Sequence, residues 1–217
     1  TGKDLVQQAP PYFIAITQQR TIFSRKKITA KKKNNRLNVM YIATVYTNEH
    51  VYTSSNGLMS GITLLDWEAR LISKLKNWNF TVMLKPHPAD ELAITTPKNL
   101  EKLHGSVIVN GLLEDVLGQA DIVLFDYPSS TVFVDLLLTD IPIVYLDFEI
   151  SRFNSDARQL LHGRMPIVKG WYDAQNRAQL DWTELHNAIL KSTEYKDSSF
   201  AEIYWASCHA PENSRIT

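Results

Sequence analysis

The chain has 217 residues, of which 44% are hydrophobic and 21% are charged, and its formal net charge at pH 7 is +0. This composition is typical of a globular protein with an ample core, and the balanced charge argues against nucleic acid as a partner. The single cysteine, Cys208, excludes an internal disulfide and a multi-cysteine metal site, and no apolar run approaches the ~20 residues that cross a bilayer, which favours a cytoplasmic protein.

Residues 1–36 are predicted to form a basic N-terminal segment or interdomain linker. Lysine and arginine are concentrated between Arg25 and Arg36. The simplest interpretation is a solvated surface. The alternative is peripheral contact with the inner face of a membrane, because each basic residue near an anionic surface contributes roughly 1 kcal/mol.

Residues 37–195 show short apolar segments that alternate with segments of helical periodicity. The predicted strands are 37–45, 80–84, 106–109, 122–125, 143–146 and 165–168, and the predicted helices include 63–76, 91–103, 112–117, 156–161 and 180–192. Strands that alternate with helices predict an α/β domain with a Rossmann-like parallel sheet, covered by helices on both faces and joined by right-handed crossovers. Residues 196–217 are predicted to form a C-terminal tail.

The second predicted strand ends in a stiff loop that carries a histidine. Its sequence is Lys85-Pro86-His87-Pro88, and the two prolines end the strand because they lack an N–H donor and restrict the residue before them. A lone histidine is commonly structural, but open α/β sheets bind ligands at this edge. We therefore interpret His87 as a ligand-binding residue and Lys85 as an additional positive charge.

A second loop runs from Asp126 to Thr131, between an apolar strand and a buried helix. Ser129, Ser130 and Thr131 would lie at the helix N-terminus, where free backbone N–H groups and the helix dipole favour an anion. The alternative for the two serines is N-capping alone, which stabilises a helix by ~1 kcal/mol. Considered together with His87, the loop predicts a clamp that holds a phosphate group from two sides.

Three acidic residues complete the candidate site. Asp126 is predicted to orient a loop hydroxyl or His87, and Asp147 and Glu149, at and just past a strand end, are predicted to hydrogen-bond ribose hydroxyls. The signatures GxGxxG, GxxxxGK[ST], HExxH and GxSxG are absent, and the histidines do not have the spacing of zinc ligands. We therefore predict neither a metal nor a separate cofactor.

The order of four motifs resembles the C-terminal half of GT-B glycosyltransferases. The motifs are Lys85-Pro86-His87-Pro88, the segment 113–121, Asp126-Tyr127-Pro128-Ser129-Ser130 and the segment 140–145. More narrowly, the chain resembles CDP-glycerol glycerophosphotransferases of teichoic-acid synthesis and the capsule and lipopolysaccharide transferases that use CMP-Kdo or CMP-sialic acid. In bacterial sialyltransferases of this type, an HP motif and a serine motif hold the CMP phosphate and ribose, and these motifs fall on His87-Pro88 and Ser129-Ser130.

The resemblance implies a glycosyltransferase or glycerophosphotransferase domain that builds a bacterial surface polysaccharide. The donor would be linked to CMP or CDP, and the acceptor would be a glycan or a lipid-linked glycan. His87 and Asp126 are the candidate catalytic residues, and His87 would stabilise charge on the leaving phosphate. GT-B enzymes have two Rossmann-like domains, so a further N-terminal domain is expected. The alternatives are a non-catalytic nucleotide- or sugar-phosphate-binding module or partner subunit, and a sugar-nucleotide epimerase.

Overall fold

The computed structural model describes residues 36–44, 61–87, 105–128, 131–150 and 153–204. Strands and helices alternate along the described chain, as predicted. The elements, in chain order, are β1 (Asn38–Ile42), α1 (Gly61–Asn77), β2 (Thr81–Lys85), β3 (Val107–Ile108), α2 (Leu113–Val116), a 3-10 turn (Leu117–Gln119), β4 (Ile122–Phe125), α3 (Thr131–Leu137), β5 (Ile143–Asp147), α4 (Ser155–Arg164), β6 (Ile167–Tyr172), β7 (Ala178–Leu180), α5 (Trp182–Lys191), a second 3-10 turn (Ser192–Glu194) and α6 (Ser199–Tyr204).

The strands form one seven-stranded sheet in the order β3-β2-β1-β4-β5-β6-β7. Strands β1 to β6 pair in parallel, and β7 pairs antiparallel with β6. The chain builds outward from β1 through β2 to β3, and then returns to the other side of β1 as β4. The strand order therefore reverses between β1 and β4, which is the topological switch point of a doubly wound sheet. The predicted α/β, Rossmann-like fold class is confirmed.

Each face of the sheet buries its own hydrophobic core, because side chains alternate between the faces along a strand. We call the face that carries Tyr41 and Leu124 the first face; it packs against α1 and α5. We call the face that carries Phe125 and Tyr145 the second face; it packs against α3, α4 and α6. The two layers of helices leave the carboxyl ends of the parallel strands as a common edge.

Helix α1 covers the first face because its apolar residues recur at helical spacing. Leu64, Trp67, Leu71 and Leu75 are buried on one side of the helix. The helix ends through Asn79, whose φ of 66° lies in the left-handed region that asparagine tolerates well. This turn returns the chain directly into β2, which runs parallel to β1.

The structure extends two predicted elements, shortens a third and adds one that was not predicted. The predicted helical turn 156–161 is the full helix α4, whose N-cap Asn154 accepts a hydrogen bond from the Ala157 N–H at 2.7 Å. Strand β6 continues four residues past the predicted end at residue 168 and turns back into β7. Leu180 therefore belongs to β7 rather than to the following helix, and Asp181 caps α5. The sheet is thus parallel except at this edge.

The segment predicted as a tail, 196–217, begins with a packed helix. In α6, Phe200 and Ala201 are buried, and the Phe200 ring lies 6.1 Å from Phe133 and 6.4 Å from Phe153. Residues 205–217, the predicted helix 91–103 and nearly all of the basic segment 1–36 lie outside the described residues. No helix in the described part of the chain is long and apolar enough to cross a membrane.

Candidate functional site

The candidate site lies at the carboxyl edge of the sheet, around the switch point. Ile42 near the end of β1 pairs with Lys85 of β2 on one side and with Phe125 of β4 on the other. Neighbouring strands are about 4.8 Å apart, so the ends of β2 and β4 are separated by about 10 Å. The two predicted loops therefore start on either side of β1, close to each other and at the same height.

The β2 loop begins with a buried lysine. The Lys85 side chain is 6% exposed, and its Nζ donates a hydrogen bond to the Pro86 carbonyl at 3.1 Å. Burial lowers the pKa of the Lys85 ammonium. That carbonyl is its one hydrogen-bond acceptor among the described residues, so further N–H groups remain for a ligand. His87 follows two residues later and is half-buried, and Pro88 lies outside the described residues.

The β4 loop is described at both ends. Asp126, Tyr127 and Pro128 follow β4, and α3 begins at Thr131, where the helix was expected. Ser129 and Ser130 lie outside the described residues, so their predicted contacts with a ligand stay a prediction.

Asp126 turns toward the first face. Its carboxyl group is 1% exposed, and Oδ2 accepts a hydrogen bond from the Tyr41 hydroxyl at 2.5 Å. Burial raises the pKa of Asp126 to about 6, against the opposing effects of hydrogen bonds from Tyr41, from its own backbone N–H and from the Trp67 indole. Among the described residues, Oδ1 of Asp126 makes no hydrogen bond of normal geometry. The side chain that Asp126 positions by a regular hydrogen bond is thus Tyr41.

Glu149 lies at the same edge, past the end of β5. Its φ of 58° is in the left-handed region, and its backbone N–H donates to Oδ1 of Asp147 at 3.0 Å. The exposed carboxylate forms an ion pair with Lys169 at 2.9 Å. The structure therefore presents Glu149 to solvent, where contact with a sugar hydroxyl is sterically open.

An ion pair between a buried aspartate and a half-exposed arginine lies next to Glu149 and was not predicted. Asp147 is 1% exposed, and its Oδ2 accepts from Nη2 of Arg158 at 2.5 Å. Its Oδ1 also accepts from the Tyr145 hydroxyl at 3.1 Å, and burial, followed by the charge of Asp147, raises the pKa of Tyr145. The sequence does contain one indication of this pair, because Asp147 is a charged residue at the end of an apolar strand. The identity of its partner, Arg158, depends on the path of the chain from β5 into α4, which the sequence pattern does not predict.

The described residues contain no group of three or more histidine, cysteine, aspartate and glutamate side chains that could hold a metal ion. Comparisons with known proteins find no family model that matches the chain and no curated protein similar to it. The function therefore has to be argued from the site itself.

Proposed function

We propose that this chain contains the nucleotide-donor-binding domain of a transferase, either a glycosyltransferase or a glycerophosphotransferase, with a donor linked to CMP or CDP. The observation that carries the proposal is the pair of loops that begin on either side of β1 at the switch point. In open α/β sheets this crevice is the usual place for a nucleotide.

The chemistry of the β2 loop supports an anionic ligand. Lys85 is almost fully buried with a single carbonyl acceptor among the described residues, and a desolvated ammonium gains from an anion that accepts its remaining N–H groups. His87 follows two residues later in the chain, at the same edge of the sheet. A separation of about 10 Å between the ends of β2 and β4 leaves room for a phosphate between the two loops.

In the proposed reaction the acceptor hydroxyl attacks the activated atom of the donor, and the bond to the nucleotide phosphate breaks. Negative charge then grows on the leaving phosphate, and His87 and Lys85 would stabilise it, because fixed charges and donors that face a developing charge lower the barrier. The hydroxyl proton passes to a base that these residues do not supply. Asp126 would act indirectly, by fixing Tyr41 at the base of the crevice.

The test is the affinity of the protein for CMP by isothermal titration calorimetry. We expect His87→Gln to weaken CMP binding by about tenfold or more, the range for the loss of a hydrogen bond to a charged group. His162→Gln is the matched control, because His162 is exposed in the last turn of α4. Equal affinities for His87→Gln and wild type, or no binding of any nucleotide to wild type, would contradict the proposal.

Nucleotide preference and turnover separate the proposed enzyme from a binding module. A calorimetric comparison of CMP, CDP, UDP and GDP should favour the cytidine nucleotides, and a preference for UDP would overturn the cytidine assignment. Binding without release of CMP or CDP from an activated donor, measured with acceptor present, would favour the non-catalytic module instead.

A further inference from the structure

Arg158 is held at the carboxyl edge by a carboxylate that is itself buried. The Arg158 side chain is 38% exposed, whereas that of Asp147 is 1% exposed, and Nη2 of the arginine meets Oδ2 of the aspartate at 2.5 Å. A half-exposed arginine on a helix normally samples many rotamers. Here the buried partner fixes the guanidinium group in one place.

The partner is fixed in turn by three groups from three parts of the chain. Oδ1 of Asp147 accepts from the Tyr145 hydroxyl on β5 and from the Glu149 N–H in the following turn, and Oδ2 accepts from Arg158 on α4. Arg158 lies in the first turns of a helix that is capped by Asn154. The conformational entropy of the arginine is therefore already lost before any ligand binds.

Most of the guanidinium group is left for another acceptor. Arginine has five N–H donors in a planar fork, and within the described part of the chain Arg158 makes only the hydrogen bond from Nη2 to Asp147. The side chain as a whole keeps 38% of its surface exposed at the sheet edge, which leaves a ligand access to it. A fork of this kind matches the paired oxygens of a carboxylate or phosphate, whereas a purely structural ion pair would not require any of them to face solvent.

The position of Arg158 relative to the donor crevice is set by the strands. β5 lies beside β4, about 4.8 Å away, so the end of β5 is about 10 Å from the end of β1. Side chains alternate along a strand, so Asp147 lies on the second face, as Tyr145 does. Leu84 lies on the first face, so its neighbour Lys85 points to the second face. Arg158 and Lys85 therefore approach the crevice from the same side of the sheet, opposite to Asp126.

We propose that Arg158 recognises a second anionic group of the donor, next to the phosphate held at the switch point. This inference rests on the proposed function and extends it to the donor class: the donor carries two anionic groups. The shared chemistry is a pair of anionic oxygens, which a CMP-linked sugar acid offers as a carboxylate and a CDP-linked donor offers as a second phosphate. CMP itself offers no second anionic group.

The test compares three ligands by calorimetry: CMP, CDP and a CMP-linked sugar acid. We expect Arg158→Gln to weaken binding of CDP or of the sugar acid by about tenfold or more, and to leave CMP affinity within about twofold of wild type. A selective loss for the sugar acid assigns the carboxylate, and a selective loss for CDP assigns the second phosphate. Arg158→Lys should retain part of the affinity, since a lysine keeps the charge but cannot present the fork.

Removing the arginine alone leaves a buried carboxylate without its partner and could destabilise the fold. The double variant Asp147→Asn with Arg158→Gln removes both charges and keeps the test valid. Arg36→Gln is the control, because Arg36 is exposed just before β1, at the opposite edge of the sheet. The role of Arg158 is overturned if the double variant binds all three ligands as tightly as wild type, or if it loses as much affinity for CMP as for the other two ligands. In either case the proposed function stands as long as wild type binds CMP. If wild type binds none of the three ligands, both proposals fail.

Discussion

At the scale of single residues, the protein keeps an acid in a site that disfavours its charge. Asp126 ends β4 with almost no solvent contact, and the Tyr41 hydroxyl provides its one hydrogen bond of regular geometry from another side chain among the described residues. The carboxyl group follows an apolar strand, and a sequence pattern marks it as a loop residue at the ligand edge. The pattern does not predict the direction of the Asp126 side chain, which points to the first face of the sheet.

Replacement of Asp126 should change how the free energy of unfolding depends on pH. The folded carboxyl has a pKa of about 6 against 3.8 for the ordinary group, so between these values the folded protein binds more protons than the unfolded chain. The contribution of Asp126 to stability should therefore fall as pH rises from 3.8 to about 6, by up to ~3 kcal/mol. The Asp126→Asn side chain cannot ionise. In urea unfolding, the free energy of unfolding of this variant minus that of wild type should therefore rise as pH rises through this window, and should stay constant above it.

Tyr41→Phe provides a second arm of the same experiment. The Tyr41 hydroxyl lowers the pKa of Asp126 by favouring the ionised form, so its removal should raise the upper limit of the pH window and leave its lower limit at 3.8. If the stability curves of wild type and Asp126→Asn run parallel from pH 4 to pH 7, Asp126 is not a buried acid with a raised pKa.

At the scale of elements, α3 and α4 are joined by an arginine that was not predicted to matter. Arg164 at the end of α4 is 4% exposed, and its Nη2 donates to the carbonyls of Thr139 at 2.8 Å and Ile141 at 2.9 Å, with a longer contact of 3.3 Å to Leu136. Leu136 lies in the last turn of α3, and Thr139 and Ile141 lie in the connection that follows it. One side chain thus fixes the passage from α3 into β5.

Arg164→Met should destabilise the protein by about 3 kcal/mol, because it removes the guanidinium donor from the buried Ile141 carbonyl and from the partly buried Thr139 carbonyl. Arg164→Lys should cost less, since an ammonium can reach one of them. The free energy of unfolding in urea measures both effects, and hydrogen exchange of the amides in the last turn of α3 should rise more than in β1. A loss below 1 kcal/mol for the methionine variant would show that water replaces the guanidinium group.

The elements also show which parts of the fold a sequence pattern can predict. Strands β1, β2, β4 and β5 are buried on both faces and have continuous apolar runs, so their positions were predicted closely. β7 was missed because its three residues lie at the sheet edge and their pairing with β6 depends on a turn near Asn176, whose φ is 57°. The pair Asp147–Arg158 was missed for a similar reason: it depends on which residue of α4 the crossover places beside β5.

At the scale of the whole molecule, the packed domain continues through α6. The ring of Phe200 is 4% exposed and completes the second core beside α3 and α4, whereas Ile203 on the same helix is 46% exposed. Residues 153–204 therefore contribute to the same core as the central strands. A prediction from composition places this helix in a tail, because it is short and followed by a polar segment.

Phe200→Ala should lower the free energy of unfolding by about 3–4 kcal/mol, which is the range for removing a buried aromatic ring from a core. Ile203→Ala is the matched control on the same helix, and it should cost less than about 1 kcal/mol because its side chain is largely exposed. Chemical denaturation measures both. Similar losses for the two variants would mean that α6 does not belong to the cooperative unit.

The division of the sheet into two separately packed faces has a consequence for how such a site can diversify. Asp126 and Tyr41 lie on the first face, whereas Asp147 and Lys85 lie on the second face. The sheet lies between the two pairs. Substitutions on one face should therefore change stability independently of substitutions on the other, since sites without shared partners usually have additive effects. A lineage could therefore exchange the exposed and charged side chains on the second face, and with them the ligand that we propose for this edge, while the acid on the first face, and the packing that supports it, is inherited unchanged.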